Sequence, residues 1–301
     1  MTIPSFPEFV PLGLEHKQEV DAAFRQTEPA ISEFTFTNLF IWRRYYKVSL
    51  SRSGGFLLIL SRREGKPPFF FPPWGDGDAR PVIRQCVEYI GRQDGSACIE
   101  RAPAEYVERH VRPSPDLAMF SDPDNEDYVY NSQDLIELKG RKYDGKRNAI
   151  SKFQRSSKYE YRPIDENLIK LCMELQDFWC AERKCGLYPG LVEERRAINE
   201  AFSNCETLAI RGGAIVMDGK VEAFSLGEKL NSNTFVVHIE KANPNIPGLY
   251  AVINQQFAAH EASGFAYVNR EQDLGDEGLR MAKESYQPAF KVRKFKVCGK
   301  G

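Results

Sequence analysis

The hydrophobic and polar positions in the second half of the chain alternate between helical and strand-like patterns. Apolar residues recur every three or four positions in two stretches, which predicts two amphipathic helices. Asp218-Gly219 then separates two β-prone runs and predicts a hairpin with a tight turn. Between Val292 and Phe295 the apolar positions change phase, which predicts a β-bulge or a strand end. The predicted elements are helices over 165–181 and 191–202, strands over 208–217, 220–226 and 234–239, a helix over 249–262, a strand over 265–269, a helix over 275–286 and a basic strand over 289–297.

The first half of the chain also mixes helical and strand-like segments, in a less regular order. Ser53-Gly54-Gly55 separates two β-prone runs and predicts a second hairpin. The aromatic-rich stretch 33–42 fits either a strand or a helix by its periodicity. The other predicted elements are a helix within 9–32, a helix over 81–90, a strand over 97–101, a helix over 103–111 and two strands near Tyr128 and Leu135.

The length of 301 residues exceeds the usual size of one domain, so two domains are expected. The predicted N-terminal domain covers 1–138, and the predicted C-terminal domain, which carries the candidate site, covers 159–301. The segment between them, 139–158, is predicted to be a basic interdomain helix, because it holds eight Lys or Arg residues and a single acid, Asp144.

Cations along one helix usually form a solvated face, and this is the simpler explanation for the cations of 139–158. The alternative is a docking surface for phosphates, since clustered cations focus a positive potential. The candidate phosphate- or tRNA-binding residues are Lys146, Arg147, Lys152 and Arg155.

The composition is that of a globular protein, with 42% hydrophobic and 28% charged residues. A net charge of −1 argues against a protein dominated by non-specific nucleic-acid binding, although it permits a local basic patch. No apolar run is long enough to span a bilayer, and the N-terminus lacks the features of a signal peptide. Seven scattered cysteines without a Cys-x-x-Cys motif predict reduced thiols, a cytoplasmic location and no metal site.

The predicted order of the second half resembles that of the Gcn5-related N-acetyltransferase (GNAT) fold. That order is two helices, three antiparallel strands, a helix, a strand, a helix and a strand. The first half is α/β and of similar length, so we expect an α/β (α+β) protein with tandem GNAT-like domains. Each domain is expected to hold a mixed, mostly antiparallel sheet flanked by helices.

Four segments resemble an uncharacterised bacterial family that shares the C-terminal domain of phosphatidylglycerol lysyltransferases. They are 32–42, 138–153, 238–254 and 269–288. The similarity to the lysyltransferases proper and to Fem-type aminoacyltransferases lies mostly in architecture. The resemblance implies transfer of an aminoacyl group from aminoacyl-tRNA to an amine or hydroxyl of a lipid, peptide or small molecule. Anionic lipid at a membrane surface is one implied acceptor, although the chain shows no multi-pass membrane domain like that of the lysyltransferases.

The loop after the strand 265–269 is the first candidate for chemistry, because ligands of open α/β sheets sit at strand carboxyl ends. Acyl transfer needs an oriented donor, stabilisation of an oxyanion and a proton acceptor. The candidate catalytic residues are Glu271, Asp273 and Lys283. The candidate substrate-binding residues are Asn269, Arg270, Arg280, Tyr250 and Tyr286. The simpler alternatives are that the acids cap the following helix or pair with its cations, and that Tyr286 belongs to the core.

The stretch 241–250 bears on the identity of the acyl donor. At this place, coenzyme-A-dependent members of the fold have a glycine-rich loop that binds pyrophosphate. Here the stretch has one glycine and two prolines, and proline offers no N–H to a phosphate. No cofactor is predicted to be required, and aminoacyl-tRNA is preferred to acetyl-CoA as co-substrate. Three hypotheses remain open: an aminoacyl-tRNA-dependent transferase, a coenzyme-A-dependent N-acetyltransferase and a non-catalytic binding protein.

Overall fold

A computed structural model describes residues 2–94 and 98–300 and divides the chain into two compact units. Unit 1 comprises Met1–Asp127, Gln272–Glu277 and Lys291–Gly301. Unit 2 comprises Tyr128–Glu271 and Gly278–Phe290. This division differs from the predicted domain boundaries. Residues 128–158 lie within unit 2, and two segments of the predicted C-terminal domain, 272–277 and 291–301, lie within unit 1.

Unit 1 holds a seven-stranded sheet and five helices within its described residues, numbered here along the whole chain. Its helices are α1 (Lys17–Thr27), α2 (Phe36–Ile41), α3 (Arg43–Tyr46), α4 (Arg80–Asp94) and α5 (Ala104–His110). Its strands are β1 (Val10–Pro11), β2 (Ser49–Ser53), β3 (Phe56–Ser61), β4 (Phe69–Phe70), β5 (Cys98–Pro103), β6 (Leu117–Ser121) and β14 (Lys294–Gly299). The strand order is β1-β2-β3-β4-β5-β14-β6, so the last strand of the chain lies between β5 and β6.

One core of unit 1 lies where α4 and α5 pack on this sheet. Ile83 and Ile90 of α4 and Val107 of α5 are buried against Leu58 of β3 and Val297 of β14. The α4 residues recur at helical spacing and the strand residues alternate, so both faces follow from the sequence pattern.

Unit 2 holds the second sheet, with the order β13-β7-β12-β11-β10-β9-β8. Its strands are β7 (Asp127–Asn131), β8 (Glu160–Pro163), β9 (Arg211–Met217), β10 (Lys220–Lys229), β11 (Thr234–Ala242), β12 (Tyr267–Asn269) and β13 (Phe290–Val292). Its helices are α6 (Ser132–Glu137), α7 (Asp144–Ser156), α8 (Glu166–Glu182), α9 (Pro189–Ser203), α10 (Cys205–Leu208), α11 (Leu249–Glu261) and α12 (Glu277–Glu284). Among the described residues, short 3-10 turns cover Leu14–His16 and Pro123–Asn125 in unit 1, and Arg141–Tyr143 and Cys185–Leu187 in unit 2.

The basic helix α7 is anchored in the core of unit 2. Its apolar residues Ile150 and Phe153 are buried in the same cluster as Val252 and Phe257 of α11 and Phe235 of β11. The cations of α7 therefore occupy the remaining faces of a helix that is fixed by this packing.

Most predicted elements are present, including the Asp218-Gly219 hairpin between β9 and β10. The ambiguous stretch 33–42 forms helix α2. The predicted strand near Leu135 is wrong, because Leu135 lies in helix α6 and is buried in the core of unit 2. Short apolar runs do not distinguish helix from strand. The phase change after Val292 is confirmed as a strand end, since β13 and β14 belong to different sheets.

The prediction that all cysteines are reduced thiols is wrong for one pair. Cys98 of β5 and Cys298 of β14 are cross-strand neighbours and form a disulfide. The two residues are 200 positions apart, so no spacing pattern in the sequence indicates their pairing.

Candidate functional site

The sheet of unit 2 opens between β11 and β12. These two strands pair in parallel over three residue pairs, from Thr234–Tyr267 to Val236–Asn269. After Asn269 the chain leaves β11, and the backbone N–H of Arg270 donates to the carbonyl of Tyr128 at 2.9 Å. Strand β11 continues to Ala242, so a space opens between its second half and the residues that follow β12.

A bulge in β11 lies beside this opening. The register between β10 and β11 passes from Leu226–Ile239 to Gly227–Val237, which leaves His238 as the extra residue. The ring nitrogens of His238 lie 2.8 Å from a Glu271 carboxylate oxygen and 2.9 Å from a Glu228 carboxylate oxygen. Burial disfavours the charged imidazole, but the hydrogen bonds to the two carboxylates outweigh it and raise the pKa of His238 to about 9.

A pocket of about 620 Å³ occupies the opening within unit 2. Arg270 and Glu240 span it, with Arg270 Nη2 3.0 Å from Glu240 Oε1. Helix α7 forms one wall, and the first turn of α11 forms another. The lining residues are Lys142, Gly145, Lys146, Ala149, Glu240, Gly248, Tyr250, Ala251, Arg270, Ala282, Ser285 and Tyr286.

Cations and aromatic rings are interleaved in this pocket. Lys146 Nζ lies 3.9 Å from the ring centre of Tyr286, and the Arg270 guanidinium lies 4.7 Å from the same ring. Burial and the neighbouring Arg270 lower the pKa of Lys146. Burial raises the pKa of Tyr286, so its hydroxyl stays protonated. The Tyr250 hydroxyl accepts a hydrogen bond from Trp179 Nε1 at 3.0 Å.

Gly248 fixes the contact between two walls of the pocket. It precedes α11 with φ of +85°, a left-handed conformation that glycine adopts readily. A Cβ at this position would lie 2.7 Å from the Ala149 carbonyl oxygen of α7. Helix α7 therefore packs directly on the N-terminal end of α11.

The pocket brings together four of the predicted site residues, namely Lys146, Arg270, Tyr250 and Tyr286. Sequence reasoning missed Glu240, whose carboxylate accepts from Arg270 and, at 3.1 Å, from Asn254 Nδ2. The sequence signal for Glu240 is its position within 238–254, one of the four segments that resemble the lysyltransferase-related family. It also missed His238, which holds the predicted catalytic residue Glu271.

The other predicted site residues do not line this pocket. Asp273 belongs to unit 1, is 1% exposed and accepts a hydrogen bond from the Gly275 N–H at 2.8 Å. In unit 2, the Asn269 side chain accepts from the Glu271 N–H at 2.8 Å, and Lys283 Nζ donates to the Arg270 carbonyl. Arg280 lies on α12.

Three cations of α7 point away from the pocket or are already engaged. Arg147 donates to the carbonyls of Leu138 and Gly140 and pairs with Asp144. Lys152 and Arg155 are exposed on the second half of the helix. In the part of the chain that the structure describes, no carboxylate lies within 4.0 Å of either side chain.

Solved structures with the same architecture identify the class of protein. A tandem GNAT protein from the clavulanic acid biosynthesis pathway is 11% identical, with a TM-score of 0.50 and 98% of each chain covered. L-PGS from Bacillus licheniformis is 13% identical, with a TM-score of 0.66, covering 100% of this chain and 95% of that one. A conserved protein of unknown function from Bacteroides thetaiotaomicron is 33% identical, with a TM-score of 0.89, covering 99% and 100%. The chain therefore has a tandem GNAT-like fold, as predicted.

The sequence profile of a family described as "Phosphatidylglycerol lysyltransferase, C-terminal" matches residues 24–298. The chain belongs to this family and is an acyltransferase-like protein. No curated protein matches it. Within 2–94 and 98–300, no cluster of His, Cys, Asp or Glu could hold a metal ion, and no helix has the length and apolar character to cross a bilayer.

Proposed function

We propose that the chain transfers an aminoacyl group from aminoacyl-tRNA to an amine or hydroxyl of an acceptor, in the cytoplasm. The observation that carries this proposal is the opening between β11 and β12, which leads into the pocket spanned by Arg270 and Glu240. Family membership supports acyl transfer as the type of reaction. The acceptor nucleophile attacks the ester carbonyl and gives up its proton to a base. The bond to the tRNA ribose breaks, and the departing ribose oxygen takes up a proton to become a hydroxyl.

The N-terminal end of α11 supports a donor other than coenzyme A. Members of the fold that use coenzyme A bind pyrophosphate with backbone N–H groups at this helix end. Here α7 packs against it through Gly248 and Ala149, and the preceding loop contains Pro244 and Pro247. Both features reduce the number of N–H groups that a pyrophosphate can reach.

The exposed half of α7 supports binding of tRNA. Lys152 and Arg155 present two positive charges on a helix that is anchored by Ile150 and Phe153. Contacts of this kind with a phosphate backbone release counterions, so the affinity falls steeply with salt. Arg147 is assigned to the helix start rather than to tRNA, because its guanidinium is bound to carbonyls and to Asp144.

We assign Glu271 as the acid–base residue of the reaction. It directly follows Arg270 and its carboxylate is oriented by His238. Lys283 is assigned a positioning role, since its ammonium holds the Arg270 carbonyl. Asp273 is assigned to the turn at Gly275, because it is 1% exposed and its carboxylate accepts the Gly275 N–H.

The donor is tested by retention of charged tRNA on a filter at several salt concentrations. We expect the wild-type chain to retain charged tRNA. In the Lys152→Ala/Arg155→Ala double variant, the slope of log affinity against log salt concentration is expected to decrease by the release of about two counterions. The Lys170→Ala/Lys220→Ala double variant removes the same charge from exposed positions on α8 and β10 and is expected to bind like wild type. A rise in the unfolding temperature with acetyl-CoA and no tRNA retention would reject the proposal.

The acceptor is tested by following a radiolabelled amino acid from a mixture of charged tRNAs. The label is measured in vesicles of phosphatidylglycerol and, as a control, in vesicles of phosphatidylcholine. Label in the first alone identifies an anionic lipid acceptor, and Glu271→Gln is expected to lower this transfer by about 100-fold. Equal transfer by wild type and Glu271→Gln would exclude the assigned role of Glu271.

A further inference from the structure

The charges that line the pocket do not balance. Lys142 pairs with Asp134 at 3.4 Å, and Arg270 pairs with Glu240 at 3.0 Å. The second carboxylate oxygen of Glu240 accepts from Asn254 Nδ2 at 3.1 Å, so Glu240 is already bound on both oxygens. Within the described residues, no carboxylate lies within 4.0 Å of Lys146 Nζ. One positive charge therefore remains without a partner.

The position of Lys146 makes this imbalance costly. Its side chain is partly buried, it shares the pocket with Arg270, and two like charges repel each other more strongly away from bulk water. The Tyr286 ring, 3.9 Å from Lys146 Nζ, attracts the ammonium but does not neutralise it. Lysines are rarely buried without a counterion, so an anionic ligand is the simplest partner for this group.

Arg270 supplies a second donor that is not satisfied. Its Nη2 binds Glu240, whereas its Nη1 is buried and has no hydrogen-bond partner among the described residues. A buried guanidinium N–H without an acceptor is unfavourable, and a small oxyanion would satisfy it. The Ser285 side chain also lines the pocket and adds no negative charge.

We propose that this pocket binds an oxyanion, a phosphate or carboxylate group of the acceptor, between Lys146 and Arg270. The assignment of the anion to the acceptor rests on the proposed transfer reaction; the binding of an anion does not. The anion anchors the acceptor so that its nucleophile lies in the opening beside β11. The same positive charge repels a cationic side chain, such as that of a lysyl or arginyl group, from this part of the site.

The proposal is tested by calorimetric titration of the full chain with three probes. These are inorganic phosphate, dimethyl phosphate and acetate, each compared with potassium chloride at the same ionic strength. We expect saturable binding of at least one oxyanion. Binding of dimethyl phosphate identifies a phosphodiester, inorganic phosphate alone identifies a monoester, and acetate identifies a carboxylate.

Two lysine variants locate the anion. Lys146→Met is expected to weaken binding by about tenfold, as one charge-assisted contact is lost. Lys170→Met removes the same charge from an exposed position on α8 and is expected to leave binding unchanged. Ser285→Asp places a carboxylate on the pocket wall and is expected to abolish binding, which keeps the test decisive if Lys146→Met does not fold.

Equal affinity in the wild type, Lys146→Met and Ser285→Asp chains would overturn the proposal, and so would heats no larger than those of chloride. Failure of the proposed function gives a different result. In that case charged tRNA is not retained, while oxyanion binding and its loss in Lys146→Met persist.

Discussion

Gly248 lies so close to Ala149 that a Cβ at position 248 would come within 2.7 Å of the Ala149 carbonyl oxygen. This contact joins α11 to α7 at the wall of the pocket. The two helices cannot keep this approach if residue 248 carries a side chain. The left-handed φ of +85° adds a second restriction to glycine at the same position.

We therefore expect Gly248→Ala to lower the free energy of unfolding by about 1–3 kcal/mol, through the contact and the backbone strain. Urea denaturation measures this change. Gly264→Ala is the matched control, because a Cβ there meets nothing within 4 Å and φ lies outside the left-handed region. Equal stability of both variants would show that α7 does not pack on α11 in this way.

The bulged residue His238 predicts a pH dependence of stability. Its pKa is raised from 6.5 to about 9, so protonation stabilises the folded chain below the unfolded pKa. That contribution, about 3 kcal/mol at most, is lost as pH rises from about 6.5 to about 9. Denaturant titrations across this range are expected to show the fall in wild type and a flatter profile in His238→Gln.

His260→Gln serves as the control for this profile. His260 stacks on Tyr161 with ring centres 4.1 Å apart and is more exposed than His238. The control is expected to keep the wild-type slope. A slope that persists in His238→Gln would assign the pH dependence to other groups.

A buried ion cluster in unit 1 predicts a large loss of stability when its lysine is replaced. Lys294 of β14 is fully buried, with Nζ 2.6 Å from Glu33 and 2.7 Å from Asp127 carboxylate oxygens. Lys294→Met leaves two buried carboxylates without this cation and is expected to cost about 3–5 kcal/mol at neutral pH. Lys296→Met is the control, since Lys296 is the next lysine on the same strand. It loses only an ion pair with Glu100, in which the lysine side chain is 40% exposed, and is expected to lower the free energy of unfolding by less than about 1 kcal/mol.

The acids of this cluster determine how that cost varies with pH. Burial raises the pKa of Glu33, and removing the Lys294 charge removes an interaction that lowers it. In Lys294→Met the Glu33 carboxyl takes up a proton more readily, so the loss of stability is expected to shrink as the pH is lowered from 8 to 5. A cost that stays constant over this range would argue against uncompensated carboxylates.

The sequence pattern predicted the order of elements in unit 2 because each element has its own hydrophobic period. It could not place Glu240. With uninterrupted alternation from Phe235 and Val237, Glu240 would face away from α11. The bulge at His238 shifts the phase by one residue and turns Glu240 toward Asn254 and Arg270.

Two further features, the sheet to which β14 belongs and the burial of Lys294, depend on pairing between residues far apart in the sequence. The phase change after Val292 indicated a β-bulge or a strand end, but not that β14 belongs to the sheet of unit 1. Likewise, Lys294 read as one cation of a basic strand, and its burial depends on Glu33 and Asp127, which are far away in sequence. Pairings of this kind depend on tertiary contacts that local periodicity does not encode.

The place of β14 between β5 and β6 also affects the order in which the protein can assemble. Strands β5 and β6 are synthesised long before β14, which pairs with both of them. In a growing chain each therefore lacks this partner until residues 294–299 emerge. Open strand edges of this kind are sites of mispairing between chains. Translation that stalls before Lys294 should therefore yield a product that aggregates through unit 1, even though every strand of the unit 2 sheet has already been synthesised.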